Sequence, residues 1–217
     1  DVVRQIVAVD KPVIAAIHGA AVGAGLGYAM ACDRRFGDTT TKMSAIFTNV
    51  GVSPDCGVSY FLPRLVGFSN AMMLVETAKI LNAEEAKEIG LLDELVPEGT
   101  DLEAAMAYAK TLASRASVAV DMARRLIHMS QVCTLEEMLD YEAIAGVSVA
   151  GSLDLPGKTQ AGLQRGVVLR LLRGSGNLGG RVSGPGFDGV PKRSELEPSG
   201  GGSHRLGGIS EVWWRKA

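Results

Sequence analysis

A small glycine motif, Gly23-Ala24-Gly25, stands between two short apolar runs. A glycine turn between a buried strand and a helix exposes backbone N–H groups at the positive end of that helix. Such groups can stabilise negative charge that develops on an oxygen atom. The motif therefore predicts an oxyanion-binding turn. Tight packing is the alternative role of such small residues, and this turn does not form a Gly-x-Gly-x-x-Gly pattern, because Tyr28 stands at the last position.

Asp55 is a second candidate, within the run Gly51-Val52-Ser53-Pro54-Asp55-Cys56-Gly57 before a predicted apolar helix over residues 58–65. An Asp here can cap the helix by accepting backbone N–H bonds, which is a structural role. It can instead act as a general base if it faces an apolar pocket, where burial raises its pKa and helix amides lower it. The residues alone leave both roles open.

The other side chains that could react give weaker indications of a function. His18 is a lone histidine at a predicted strand end, where a hydrogen-bonded structural role is the usual one. Cys56 has no local His or Lys that would activate a thiolate. The three cysteines show no metal-ligand spacing and no disulfide framework. We therefore expect no metal site and a cytoplasmic location.

The overall charge excludes some classes of partner. A net charge of -2 and a pI near 6.0 give no basic field for nucleic acid or an anionic membrane. Residues 13–32 carry no formal charge, but they are rich in Ala and Gly and include His18. We interpret them as a strand, a turn and a helix rather than a membrane segment. A small-molecule substrate is expected.

The elements that position the candidates follow from hydrophobic periodicity and capping signals. Strands are predicted over residues 13–17, 42–45 and 91–96, with a helix through Met30. Capping boxes are predicted at Asn82 with Glu85 and at Thr134 with Glu137. Three amphipathic helices carry the apolar faces Leu102/Ala105/Met106/Ala109, Ala119/Ala123/Ile127 and Leu135/Met138/Leu139. This order predicts an α/β core followed by an α-helical extension.

The last part of the chain differs in composition from the rest. Residues 155–217 hold 15 of the 27 glycines and 4 of the 8 prolines. They also carry 10 Lys and Arg against 4 Asp and Glu, whereas residues 1–154 carry 12 against 20. Such a segment buries too little apolar area to offset the entropy of ordering it. We predict a largely disordered tail.

Several motifs in order resemble the crotonase (enoyl-CoA hydratase/isomerase) family over residues 1–154. They are Lys11-Pro12-Val13-Ile14-Ala15-Ala16-Ile17-His18-Gly19, Gly23-Ala24-Gly25-Leu26-Gly27, Cys32-Asp33, Phe47 to Gly57, Leu62-Pro63-Arg64-Leu65-Val66-Gly67 and Ala83-Glu84-Glu85-Ala86. The resemblance implies an α/β fold. Residues 1–98 would form the C-terminal portion of an incomplete ββα spiral core, 99–154 a trimerisation-type helical extension, and 155–217 the disordered tail.

The resemblance also implies a substrate and a site. The substrate is an acyl-CoA thioester of fatty acid metabolism, so coenzyme A is part of the substrate and no separate cofactor is expected. The amide of Ala24 is one of two donors to the thioester oxygen of an enolate, worth about 3 kcal/mol. A homotrimer or hexamer is implied. The other substrate-binding positions are Gly23, Gly25, Phe47, Gly51 and Pro54.

The family pattern favours isomerisation over hydration. Hydratases of this family carry glutamates at the positions of Gly27 and Phe47, and neither residue here can activate water. The Pro-Asp-Cys-Gly run is instead similar to double-bond isomerases and to the 1,2-epoxyphenylacetyl-CoA isomerase type. In those members an Asp at the position of Asp55 moves a proton. Asp55 is therefore the expected acid/base.

Departures from the family keep two alternatives open. The chain lacks the family's upstream strand-rich region, and after Asp154 its sequence no longer follows the family. We expect an incomplete copy of low activity whose tail arises from a frameshift. The alternatives are a hydratase or lyase of the same family, or an inactive remnant that associates with full-length relatives through residues 102–149.

Overall fold

The strand predicted at residues 13–17 is the centre of a sheet in the computed structural model, which describes residues 2–152, 167–172 and 212–216. The strands of this sheet are β1 (Val13–His18), β3 (Arg34–Asp38), β5 (Glu94–Val96), β6 (Val167–Leu172) and β7 (Val212–Lys216). Their order is β5-β3-β1-β6-β7. All neighbours are parallel except β6 and β7. The first five residues of β1 are buried, because a parallel strand is covered on both faces.

Helices cover both faces of β1. Alternate residues of a strand point to opposite faces, and Ala15 and Ile17 join the larger core while Ile14 and Ala16 join a smaller one. The larger core is built with helices α1 (Val2–Ala8), α2 (Ala24–Ala31), α3 (Val58–Thr77) and α4 (Ala83–Glu88). The smaller core is built with α5 (Asp101–Ala113), through Ala105, Ala109 and their neighbours. The predicted α/β architecture is confirmed.

A two-stranded parallel sheet holds the glycine motif. It pairs β2 (Ala20–Val22) with β4 (Lys42–Ser44), within one residue of the strand predicted at 42–45. The N–H of Gly23, which follows β2 directly, donates to the carbonyl of Ser44 at 3.1 Å. This bond fixes the end of β2 where the chain turns into α2.

Strand β3 has no counterpart among the predictions, because its sequence Arg-Arg-Phe-Gly-Asp is polar. Its buried residue Arg35 is satisfied by specific partners. Arg35 is 3% exposed and pairs with Asp93 at 2.6 Å. Its guanidinium also donates to the carbonyls of Leu91 and Cys32. A buried charge is tolerated when it is paired and hydrogen-bonded, so a strand can form here despite its composition.

Helix α3 is long and apolar enough to cross a membrane by length and composition alone. Its backbone leaves the helical conformation at Gly67, where φ is 78° and ψ is 161°. Its buried residues pack in the larger core and are Val58, Leu62, Val66, Ala71 and Leu74. These features are those of a kinked core helix.

The range predicted as a helical extension, residues 99–154, contains α5 and also α6 (Ser117–Met129) and α7 (Leu135–Gly151), which pack on each other. Both predicted capping boxes are present, at Asn82 with Glu85 and at Thr134 with Glu137. The apolar faces are less buried than their periodicity suggests. Of the predicted set on α7 only Met138 is buried. Ile127 of α6 is 69% exposed, and Leu135 and Leu139 of α7 are 68% and 55% exposed.

Within the range predicted as a largely disordered tail, the structure describes two strand segments. Strand β6 pairs in parallel with β1, from Val13 opposite Val167 to His18 opposite Leu172, and β7 pairs with β6. Both segments are rich in β-branched, aromatic or large aliphatic residues, which favour strands. The Gly-rich average of residues 155–217 concealed these short runs. The rest of that range lies outside the described residues.

Removing residues 155–217 is expected to increase self-association, because β1 then presents an edge of unpaired N–H and C=O groups. Sedimentation velocity of the chain ending at Asp154, compared with the full chain, measures this effect. Identical sedimentation and an unchanged unfolding midpoint would show that β6 does not protect the edge of β1.

Candidate active site

The glycine motif forms the predicted turn between a strand and a helix. Gly23 has φ 55° and ψ -122°, a left-handed conformation that favours glycine, and it is the N-cap of α2. No side chain caps this end of the helix. The amides of Ala24 and Gly25 belong to the first turn of α2, where N–H groups have no intrahelical acceptor. The turn therefore presents backbone N–H groups at the start of α2.

Two consecutive left-handed residues shape the loop that carries Asp55. Cys56 has φ 47° and Gly57 has φ 78°. Such a conformation at a residue other than glycine costs about 1–3 kcal/mol and is found mainly at functional sites. Gly57 is the N-cap of α3, and no side chain makes a capping hydrogen bond there. Asp55 is exposed and its carboxylate does not cap α3, so among the described residues neither the capping role nor the apolar surroundings considered for it are present.

The loop packs directly on α2 through Gly27. A Cβ atom built on Gly27 would lie 2.5 Å from the carbonyl oxygen of Cys56 and 2.8 Å from its Cβ. No side chain fits there without displacing the backbone of the loop. Phe47 lies in a 3-10 helix (Ile46–Val50) and is 5% exposed within the larger core. Neither of the two positions at which hydratases carry glutamate can present a carboxylate here.

Replacing Gly27 by Ala is expected to destabilise the fold by about 1–3 kcal/mol, because the new methyl group meets the backbone of Cys56. Gly25→Ala on the same helix is the control. A Cβ at Gly25 meets nothing within 4 Å, so this change should be neutral or stabilising by up to about 1 kcal/mol. Chemical denaturation of both variants measures the difference. Equal stabilities would mean that the loop does not pack on Gly27.

The side chains of Tyr28 in α2 and of Asp55 both interact with the side chain of Cys56. Burial, with a smaller effect of the Asp55 carboxylate, raises the pKa of Cys56. Burial, followed by the effect of Cys56, raises the pKa of Tyr28 to about 12. Both groups therefore stay protonated at neutral pH, which agrees with the expectation that Cys56 is not a nucleophile.

The two predicted constellations thus meet on α2. The Cγ2 atom of Ile46 lies 3.7 Å from the position of a Cβ on Gly23, so the 3-10 helix borders the glycine turn. That helix ends at Gly51, whose φ of 72° turns the chain toward Pro54 and Asp55. Sequence reasoning missed Tyr28. Its spacing of one helical turn from Ala24, on the strand-turn-helix unit already identified, is the signal that could have found it.

His18 is part of a hydrogen-bonded cluster around Asp38. Its Nδ1 lies 2.6 Å from Asp38 Oδ2, and the Asp38 carboxylate also accepts bonds from the N–H and hydroxyl of Thr40 and from the N–H of Gly99. Burial opposes ionisation of Asp38, but these bonds outweigh it and hold its pKa below the usual range. His18, Asp38 and Asp101 offer ligand atoms within 4.8 Å of one another. The Asp38 carboxylate is already occupied by these hydrogen bonds, which join β1, β3 and the loop before α5.

Comparison with known proteins accounts for this combination of turn, loop and helices. The sequence model described as enoyl-CoA hydratase/isomerase matches residues 1–152. The chain belongs to the enoyl-CoA hydratase/isomerase (crotonase) family. The resemblance seen in the motifs is therefore confirmed.

Relatives within the crotonase family include both kinds of enzyme. A short-chain-enoyl-CoA hydratase of Clostridium acetobutylicum is 33% identical over 144 residues, covering 66% of this chain and 55% of that protein. A 1,2-epoxyphenylacetyl-CoA isomerase of Escherichia coli is 33% identical over 150 residues, covering 67% of this chain and 57% of that protein. The chain spans little more than half the length of these curated relatives.

Solved structures of the family share the fold. An enoyl-CoA hydratase from Bacillus anthracis matches with a TM-score of 0.68 and 32% identity, over 70% of this chain and 58% of that chain. The crotonase-type architecture predicted from the motifs is confirmed. The family includes hydratases and isomerases, so the reaction must be argued from the site.

Proposed function

We propose that the protein isomerises an acyl-CoA thioester, either an enoyl-CoA or an epoxyacyl-CoA, through an enolate. The observation that supports this reaction over hydration is the contact between Gly27 and the backbone of Cys56. It closes the position at which hydratases carry a glutamate, and Phe47 fills the other. Hydration needs carboxylates to orient and deprotonate water, whereas one acid/base residue suffices to move a proton within a substrate.

The residues have the following roles in the proposal. The amide of Ala24 donates to the thioester oxygen, where negative charge collects when a proton leaves the neighbouring carbon. Asp55 removes that proton from C2 of a 3-enoyl-CoA, the double bond shifts to C2–C3, and Asp55 returns the proton to C4. The protonated side chains of Cys56 and Tyr28 are the neighbouring donors that would orient the carboxylate. Gly23, Gly25, Gly51 and Pro54 shape the backbone around the acyl group.

The proposal also concerns cofactors and self-association. Coenzyme A arrives as part of the substrate, and a proton shift needs neither a redox cofactor nor a metal ion. We also propose self-association into a trimer or hexamer. The exposed apolar residues of α7 support it, since Ile144 is 64% and Val147 is 77% exposed.

Two substrates distinguish the reactions. Conversion of 3-hexenoyl-CoA to 2-hexenoyl-CoA should be detectable with the full chain, whereas hydration of crotonyl-CoA should be slower by at least about 100-fold, the effect of missing acid/base groups. Product analysis by mass spectrometry separates the two, because hydration adds the mass of water and isomerisation adds none. Faster hydration than isomerisation would contradict the proposal. Absence of both reactions, with self-association retained, would favour the inactive remnant.

A further inference from the structure

A cavity lies between α3, α5 and α6, away from the proposed active site. Its volume is about 470 Å³, within the range of about 300–1,000 Å³ that is typical of small-molecule sites. Met30 and Cys32 border it at the C-terminal end of α2. Ala24 is at the other end of this helix, roughly 12 Å away along its axis. The cavity is therefore distinct from the glycine turn.

The walls of this cavity are mainly aliphatic. Ile14 and Met30, which are almost fully buried, line it from β1 and α2. Leu65 of α3, Leu112 of α5 and Ile127 of α6 line the other sides. Flexible and branched aliphatic side chains of this kind favour an alkyl chain over a polar ligand.

Arginine side chains give one side of the cavity a positive charge. The guanidinium of Arg64 stacks 3.7 Å from the centre of the Tyr60 ring and donates to the Tyr60 carbonyl at 2.8 Å. In the described part of the chain, no carboxylate pairs with Arg64. Arg124 Nη2 and Arg34 Nε are buried without a hydrogen-bond acceptor among the same residues. Donors are thus available at the cavity without matching acceptors.

The carboxylate of Asp33, which lines this side of the cavity, already accepts hydrogen bonds. Asp33 accepts bonds from the N–H of Val13, from Arg124 Nε and from His128 Nε2, at 2.6 to 2.8 Å. It offsets the charge of Arg124, and Asp93 and Glu94 pair with Arg34 and Arg35, so among the described lining residues the positive charge that remains without an acidic partner is that of Arg64. A single carboxylate matches the remaining donors, because guanidinium groups bind carboxylates through paired hydrogen bonds.

We propose that this cavity binds an amphipathic monocarboxylate with the chemistry of a medium-chain fatty acid. Its carboxylate is held by Arg64 and by the Nη2 atom of Arg124, and its alkyl chain lies along Met30, Leu65 and Ile127. This site is independent of the proposed reaction, since it shares no residue with the glycine turn or the Asp55 loop.

Decanoate is the test ligand for the full chain, with decan-1-ol as a ligand of the same length without the carboxylate. Isothermal titration calorimetry gives affinity and stoichiometry, and ¹³C-methyl methionine NMR reports contact at Met30, assigned with Met30→Leu. We expect saturable 1:1 binding of decanoate, a shift of the Met30 methyl signal, and roughly tenfold weaker binding of decan-1-ol. Absence of saturation, or equal binding of both ligands, would overturn the proposal.

Two substitutions at exposed lining residues test the placement of the ligand. Arg64→Gln should weaken decanoate binding roughly tenfold and leave decan-1-ol unaffected. Ile127→Glu should also weaken it by charge repulsion. The controls are Arg115→Gln and Ile144→Glu, which lie outside the cavity and should bind like the parent. If decanoate does not bind and Ile127→Glu changes the sedimentation coefficient, the cavity is covered by a second copy of the chain and the proposal is wrong.

Discussion

Asp55→Asn is expected to lower the isomerisation of 3-hexenoyl-CoA by roughly 100-fold or more, the usual contribution of general-base catalysis. Asn keeps the size of the side chain and an oxygen that accepts hydrogen bonds, but it cannot take a proton. Folding should be unaffected, because Asp55 is exposed and does not cap α3. Steady-state kinetics and the unfolding midpoint, measured on the same sample, test both parts.

Asp10→Asn is the matched control for this variant. Asp10 is an exposed acid whose described partner is Arg125, so its replacement should leave turnover unchanged. A structural role for Asp55 predicts that both variants keep the parental turnover. An Asp55→Asn protein that is fully folded and fully active would therefore exclude Asp55 as the base.

Asp33→Asn is expected to destabilise the protein by about 3 kcal/mol, since removing one partner of a buried ion pair leaves the other charge uncompensated. Arg124 Nε lies 2.8 Å from the Asp33 carboxylate, and the two side chains are 11% and 17% exposed. This pair holds α6 against the start of β1. A loss of that size is a large part of the 5–15 kcal/mol that stabilises a typical domain. Urea denaturation measures it.

The pH dependence of stability provides an independent test of Asp33. Burial raises its pKa, but hydrogen bonds from His128, Arg124 and Val13 outweigh burial and lower it. A lowered folded-state pKa means that the stabilisation is present above the unfolded value, about 3.9, and is lost as pH falls through the folded value. Asp33→Asn should therefore lose less stability on acidification than the parent. Parallel pH profiles would contradict this account.

Asp10→Asn again serves as the control, because Asp10 pairs with Arg125 on the same helix in an exposed position. Exposed ion pairs contribute at most about 1 kcal/mol. If Asp10→Asn and Asp33→Asn destabilise the protein equally, the burial of the Asp33–Arg124 pair does not increase its contribution to stability, and this account is wrong.

Local signals in the sequence predicted the parts of the fold that depend on a few neighbouring residues. The apolar run of β1, the glycine turn at Gly23 and the capping boxes at Asn82 and Thr134 are formed by short-range interactions. Each was therefore readable without knowledge of the tertiary structure. Strand β3 was not, because its Arg35 is stabilised by Asp93, which is distant in the sequence.

The residues of the candidate site could be predicted from the sequence, but the contacts between them could not. Gly23, Ala24 and Asp55 stood out by motif, yet the contact of Gly27 with Cys56 arises only when the loop before α3 packs on α2. The interactions of Cys56 with Tyr28 and Asp55 depend on the same packing. In the tail, the average Gly content obscured the strand-forming runs of β6 and β7.

Exchange of the α-proton of an acyl-CoA with deuterated water tests the central claim most directly, because it detects enolate formation without requiring a complete isomerisation. Butyryl-CoA, which can be neither hydrated nor isomerised, is incubated in deuterated water with the full chain or with Asp55→Asn, and deuterium at C2 is followed by mass spectrometry. The account predicts exchange by the parent and a rate reduced roughly 100-fold or more in the variant. Exchange at the parental rate in Asp55→Asn would contradict it.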